Sequence, residues 1–168
     1  MEVIAIYRES IIKTYGFHQV KGVCLLEISI HRTAMARLGR WLREEVVKYK
    51  KVHVCVVQPG DSEELTLSVC LECDDVEAFR NGLKSMLPKE AWLSSSLTSS
   101  VDVLFFHGPH FGDRYGIAEA VFTCLEGGSI PVLLAACAVS SIYLALPGGS
   151  CSSALELLSK SFETPSRT

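Results

Sequence analysis

The chain has 168 residues, of which 48 % are hydrophobic, and its 16 basic and 19 acidic side chains leave a formal net charge of −3. That length accommodates one ordinary domain or two small ones, with enough apolar material for a packed core, which excludes global disorder. The basic residues form no long run, and phosphate affinity needs a concentrated Lys/Arg surface, so no nucleic-acid partner is expected.

The first residues read as strands, Val3 to Arg8 and Lys13 to Val20, with no basic leader before an apolar run. Val23 to Ile30 is a β-branched apolar strand, followed by Met35, Leu38, Leu42, Val46 and Tyr49 at helical spacing. The same helix carries Arg32, Arg37, Arg40, Arg43, Lys48, Lys50 and Lys51, interrupted by Glu44 and Glu45, a pattern of a solvated face. Lys51 to Gln58 and Leu65 to Glu72 are two strands joined by the turn Pro59-Gly60-Asp61-Ser62. Asp74 and Asp75 then stand where a helix cap belongs, ahead of Val76, Phe79, Leu83 and Met86 on one helical face. The order is β-α-β-β-α.

Ser94 to Ser100 has the composition of a linker, and beyond it the order repeats. Val101 to Phe106 is a strand, and Ile117, Val121, Cys124 and Leu125 line a helix ending at Gly127-Gly128, where a left-handed glycine cap is expected. Ile130 to Ala138 and Ser141 to Leu146 are strands, and Leu155, Leu158 and Phe162 mark a last helix. The run Ile130 to Leu146 is shorter than the roughly 20 residues of a membrane span and is broken by Ser140 and Ser141, so no membrane partner is expected.

The fold class expected is therefore α+β, two tandem ferredoxin-like repeats with antiparallel sheets packed against helices. The divisions are 1–93, a linker at 94–100, and 101–168. A complete unit has a fourth strand after its second helix. The tail after Phe162 is short and interrupted by Pro165, so the N-terminal strands are expected to fill an edge in one or both sheets and interleave the halves.

Seven cysteines are an odd number, and most lie in apolar runs, the pattern of reduced, buried thiols in a cytoplasmic protein. Cys70-x-x-Cys73 has redox or zinc spacing, but no second such pair accompanies it and Cys70 continues a strand alternation.

The densest signal is His107-Gly108-Pro109-His110-Phe111-Gly112-Asp113-Arg114-Tyr115-Gly116-Ile117, between the first strand and first helix of the second repeat. Its glycines allow sharp turns and close approach, and a helix N-terminus offers unpaired N–H groups and partial positive charge to a carboxylate. Asp113 offers an acceptor for an ammonium group and Arg114 a second anchor; the alternative is that Asp113 caps the helix and the glycines serve only the turn. His107 and His110 lack a third metal ligand nearby, and no Gly-Lys-Ser/Thr closes a phosphate loop. Neither a nucleophile elbow nor a carboxylate pair is present, so no enzyme activity, cofactor or metal is expected. The rival readings are a protein-interaction module and a metal-dependent enzyme using His107, His110 and Asp113.

From Gly112 to Phe162 the chain resembles the C-terminal ACT region of aspartokinases. The resemblance lies in Asp113-Arg114-Tyr115-Gly116-Ile117-Ala118, in Leu125-Glu126-Gly127-Gly128-Ser129-Ile130-Pro131-Val132, and in the closing Leu157-Leu158-Ser159-Lys160-Ser161-Phe162. It implies a tandem ACT-type regulatory protein without the kinase domain. The amino acid or related metabolite it implies is held where strand meets helix, with Gly116 and Ile117 beside it. The site residues expected are His107, Gly108, Phe111, Gly112, Asp113, Arg114, Tyr115, Gly116 and Ile117. The strand that carries Ser/Thr in aspartokinases reads Leu134-Ala135-Ala136-Cys137-Ala138-Val139 here, without those hydroxyls. Sheet edges invite self-association, so a homodimer is expected.

Overall fold

The computed structural model describes residues 11–49, 51–61 and 63–164. The chain divides into two compact units, Lys21–Val101 and a second made of the described residues up to Val20 together with those from Asp102 onward. Both crossings fall inside strands, β2 (Gly16–His31) and β5 (Trp92–His107). The described residues up to Val20, which the 1–93 division puts with the first repeat, group with the second unit because of where these strands run.

In the Lys21–Val101 unit, α1 (Met35–Glu45), β3 (Val52–Pro59), β4 (Glu64–Leu71) and α2 (Val76–Met86) stand between β2 and β5, and the strand order is β3-β4-β2-β5. β2 and β4 are antiparallel with Ile28 opposite Leu67, and β3 is antiparallel to β4 with Val57 opposite that same Leu67. Alternation places Cys24, Leu26, Ile28 and Ile30 on one sheet face with Leu65, Leu67, Val69 and Leu71. Leu38 and Trp41 from α1 and Val76, Phe79 and Leu83 from α2 cover that face, with Trp41 edge-on to Phe79 at 4.7 Å. Met35, expected on the buried side of α1, is 59 % exposed, and Trp41 takes the buried position instead. The basic side chains described around this helix do lie in solvent, with Arg43 paired to Glu44 and Lys48 to Glu45.

Ser94–Ser100 is not a linker, because all of it lies within β5. It supplies the fourth strand of this unit, at the sheet edge, where the side chains are exposed and serine costs no burial. Strand pairing is made by the backbone, so a polar edge strand carries the composition of a linker while hydrogen-bonding like any other.

The second unit has the order β2-β5-β7-β6, with α3 (Ile117–Gly127) and α4 (Cys151–Leu158) between strands β6 (Leu134–Ala138) and β7 (Ser141–Pro147) and their neighbours in the chain. β6 and β7 are antiparallel with Ala136 opposite Tyr143. The fourth strand here is the start of β2, so part of the expected Lys13–Val20 strand does fill a sheet edge; Val3–Arg8 falls outside the described residues. The short β1 (Ile12–Lys13) runs parallel to β8 (Phe162–Glu163), so Phe162 begins a strand rather than closing a helix. Ile12, Leu104, Phe106, Val121, Leu125, Leu144, Leu158 and Phe162 share one core, where Phe106 meets Phe162 at 5.2 Å.

α3 ends at Gly127 as expected, but its left-handed cap is Ser129, with φ of 52°, while Gly128 has φ of −101°. Ile130 N–H donates to Leu125 O and Ser129 N–H to Glu126 O, the paired bonds of a Schellman end. Gly128 lies close against α4, where a Cβ would require the end of the Leu157 side chain to move.

The cysteines differ most from expectation. Cys24 and Cys73 form a disulfide, so Cys73 pairs across to β2 and not with Cys70. Cys70 is buried and Cys55 and Cys137 are exposed. Cys70 belongs to the other face of β4 from the Leu67, Val69 and Leu71 that pack with Cys24, which is why, three positions before Cys73, it takes no part in the bond.

Candidate functional site

The segment from Gly108 to Gly116 leaves the end of β5 and returns to open α3. Gly108 is there because of close approach: a Cβ would collide with the Lys13 carbonyl oxygen and the Phe111 ring. Gly112 sits against the Val139 side chain. His110 adopts a left-handed conformation with φ of 63°, its carbonyl accepts from Asp113 N–H at 3.1 Å, and Gly116 takes φ of 82° at the N-cap. The chain therefore enters α3 through a left-handed glycine, which has no side chain with which to cap the helix. The first helical bond is Ala120 N–H to Gly116 O at 2.9 Å.

A cavity of about 250 Å³ adjoins this helix start, lined by Phe111, Arg114, Tyr115, Gly116, Ile117, Ala118, Cys137, Ala138 and Ile142. It lies below the roughly 300–1,000 Å³ of sites for drug-sized ligands, so its scale is that of a small metabolite. Phe111, Ile117 and Ile142 are buried members of the surrounding core and give the cavity a fixed apolar wall. Tyr115 is 96 % exposed and stands at the mouth. The Glu119 carboxylate lies on the first turn of α3, 3.6 Å from where a Gly116 Cβ would be.

Five of the nine residues expected from the sequence line this cavity: Phe111, Arg114, Tyr115, Gly116 and Ile117. The remaining four do not. His107 closes β5 with its ring 5.2 Å from Tyr15. Gly108 and Gly112 shape the loop from behind, and Asp113 is an exposed carboxylate 3.7 Å from His110 Nδ1, turned to that neighbour. Ala118, Cys137, Ala138 and Ile142 were not singled out; the last three come from β6 and β7, which no local motif connects to the loop. The signal for Cys137 and Ala138 was their place in the strand that the ACT resemblance sets beside the ligand. Among the described residues, no group of three or more His, Cys, Asp or Glu is placed to hold a metal ion. None of the helices among them is long and apolar enough to cross a membrane.

No protein-family model and no curated protein matches the sequence. Solved structures do match. The regulatory subunit of aspartate kinase from Thermus flavus superposes with a TM-score of 0.71 at 11 % identity, over 88 % of this chain and 97 % of that one. The ligand-free regulatory subunit from Thermus thermophilus gives 0.71 at 12 % identity, over 89 % and 99 %. E. coli aspartokinase III in complex with lysine and aspartate gives 0.56 at 14 % identity, where this chain covers 33 % of the kinase. The strand orders, the helices and these superpositions agree: the chain has the ACT-type α+β fold of the aspartate kinase regulatory subunits.

Proposed function

We propose that this protein is an ACT-type regulatory module that binds an amino acid or closely related metabolite at the start of α3. The observation that carries the reading is the cavity itself, small, walled by Phe111, Ile117 and Ile142, and opening beside a helix N-terminus whose cap residue is Gly116. Helix N-terminal amides favour a carboxylate. Glu119 already places a negative charge on that first turn, so a zwitterion, whose ammonium offsets that charge, suits the site better than a bare anion. The aspartokinase III of the same fold that holds lysine and aspartate supports the amino-acid class. A regulatory, non-enzymatic role agrees with the likeness to regulatory subunits.

The same reading includes a homodimer and a cytoplasmic location. Strands β3 and β6 end the strand orders and offer edges for pairing, and exposed thiols at Cys55 and Cys137 suit a reducing compartment, with the Cys24–Cys73 disulfide as the feature that opposes it. Isothermal titration against the twenty common amino acids and their 2-oxo acids tests the binding. At least one saturable response, lost in Gly116→Val, is expected; a flat response to every compound refutes it. Gly116→Val forces a β-branched residue to φ of 82° and fills the approach to the amides.

A further inference from the structure

We infer that the ligand of the α3 site is an amino acid with an unbranched or branched apolar side chain, and that cationic and hydroxylated side chains are disfavoured. The inference rests on the binding reading above and adds the class. Once the α-carboxylate is at the helix start, the rest of the ligand faces Phe111, Ile117, Ala118, Ala138, Ile142 and the Cys137 thiol. Apart from Arg114, the Tyr115 phenol at the mouth and the Cys137 thiol, the lining is apolar, so a ligand ammonium or hydroxyl placed against Phe111, Ile117, Ala118, Ala138 and Ile142 loses water and gains no carboxylate, amide or Ser/Thr partner. Arg114 lines the cavity too, and its charge repels a cationic side chain. A hydrocarbon side chain meets the opposite balance, because each methylene that leaves water for this wall adds to affinity, by roughly tenfold or more in well-fitted pockets.

The wall is also fixed. Ile117 and Ile142 are 6 % and 3 % exposed and belong to the core around Leu104 and Phe106, so they cannot turn aside to bring a polar group in their place. Ala138 lies on β6, the last strand in its order, and is exposed, so it is the lining position where a new side chain meets least resistance.

Two matched pairs test the class on the intact chain. Valine and threonine share a shape and differ by a hydroxyl, and norleucine and lysine share a chain and differ by the terminal ammonium. Titration calorimetry should give the apolar member of each pair at least about tenfold the affinity of the polar one, by the unpaired-group argument. Ala138→Asp should weaken norleucine by at least that factor and narrow or reverse its margin over lysine, with the circular dichroism spectrum and melting curve unchanged. Equal or tighter binding of threonine and lysine overturns the class while leaving amino-acid binding intact. Norleucine binding indifferent to Ala138→Asp overturns the placement at this wall. Silence from all four compounds overturns the class, and the parent reading falls with it only where the twenty amino acids and their 2-oxo acids are silent too.

Discussion

Cys70 is fully buried on β4, opposite Leu25 of β2, and burial pushes its thiol up to about 12, with the Glu27 carboxylate adding to the shift. A raised pKa means that the folded chain holds this proton at pH values where the unfolded chain has released it. Its contribution to stability is therefore complete below the ordinary thiol value of 9.0 and is lost as pH rises from there toward 12. Urea unfolding at pH 8 and pH 10.5 should show a steeper loss for the wild type than for Cys70→Ala; identical slopes would contradict the assignment. The same burial predicts that Cys137, exposed on β6, is alkylated by iodoacetamide well before Cys70 in the native protein. Gly108 belongs to the same scale. Gly108→Ala sets a methyl against backbone, the Lys13 carbonyl, and should cost about 1–3 kcal/mol in chemical denaturation, the range for overpacking. Gly112→Ala crowds the Val139 side chain, which is 80 % exposed and can move, and meets the Val139 carbonyl oxygen only at ordinary contact distance, so its cost should be clearly smaller.

At the scale of elements, the disulfide decides how tightly α2 is tied to the sheet. Cys24 is on β2 and Cys73 just before α2, and the bond closes a separation of 49 residues that takes in α1, β3 and β4. A closed loop of that size restricts the unfolded chain and is worth about 2–4 kcal/mol. Cys73→Ser changes an exposed position, so a lowered melting temperature in that variant reports the bond itself. Dithiothreitol should lower the wild-type melting temperature toward the variant's and leave the variant unmoved; an equal response in both would show that the bond contributes nothing. This pairing was not legible in the sequence, because Cys24 lies in an apolar run that reads as a buried thiol and cysteine connectivity depends on which strands become neighbours. The helices were legible, since Leu38, Phe79, Leu83 and Val121 recur at the spacing of one buried face. The loop half of the candidate site was legible from its glycines, and the strand half was not, because Cys137 and Ile142 reach it only through the β6–β7 pairing.

At the scale of the whole molecule, the two repeats differ in what they need from the rest of the chain. The Lys21–Val101 unit holds its own share of β2 and β5, both intervening strands, α1, α2 and the disulfide, and its core from Cys24 to Trp92 is contained within it. The other unit draws its fourth strand and two core side chains, Ile12 and Phe17, from the start of the chain. Tyr15 N–H donates to His107 O at 2.9 Å and Ile12 N–H to Ser161 O at 2.8 Å, so without residues 11–20 those carbonyls lose their partners and β5 becomes an edge. A fragment of residues 21–101 should therefore unfold in one cooperative transition by circular dichroism, while residues 102–168 alone should show a broad, non-cooperative melt. Appending residues 11–20 to the end of the second fragment through a flexible linker should restore a sharp transition, because it returns the strand and both apolar side chains without altering the unit's own sequence. A cooperative melt for 102–168 by itself would mean that the borrowed strand is dispensable, and the interleaved account of the fold would then be wrong.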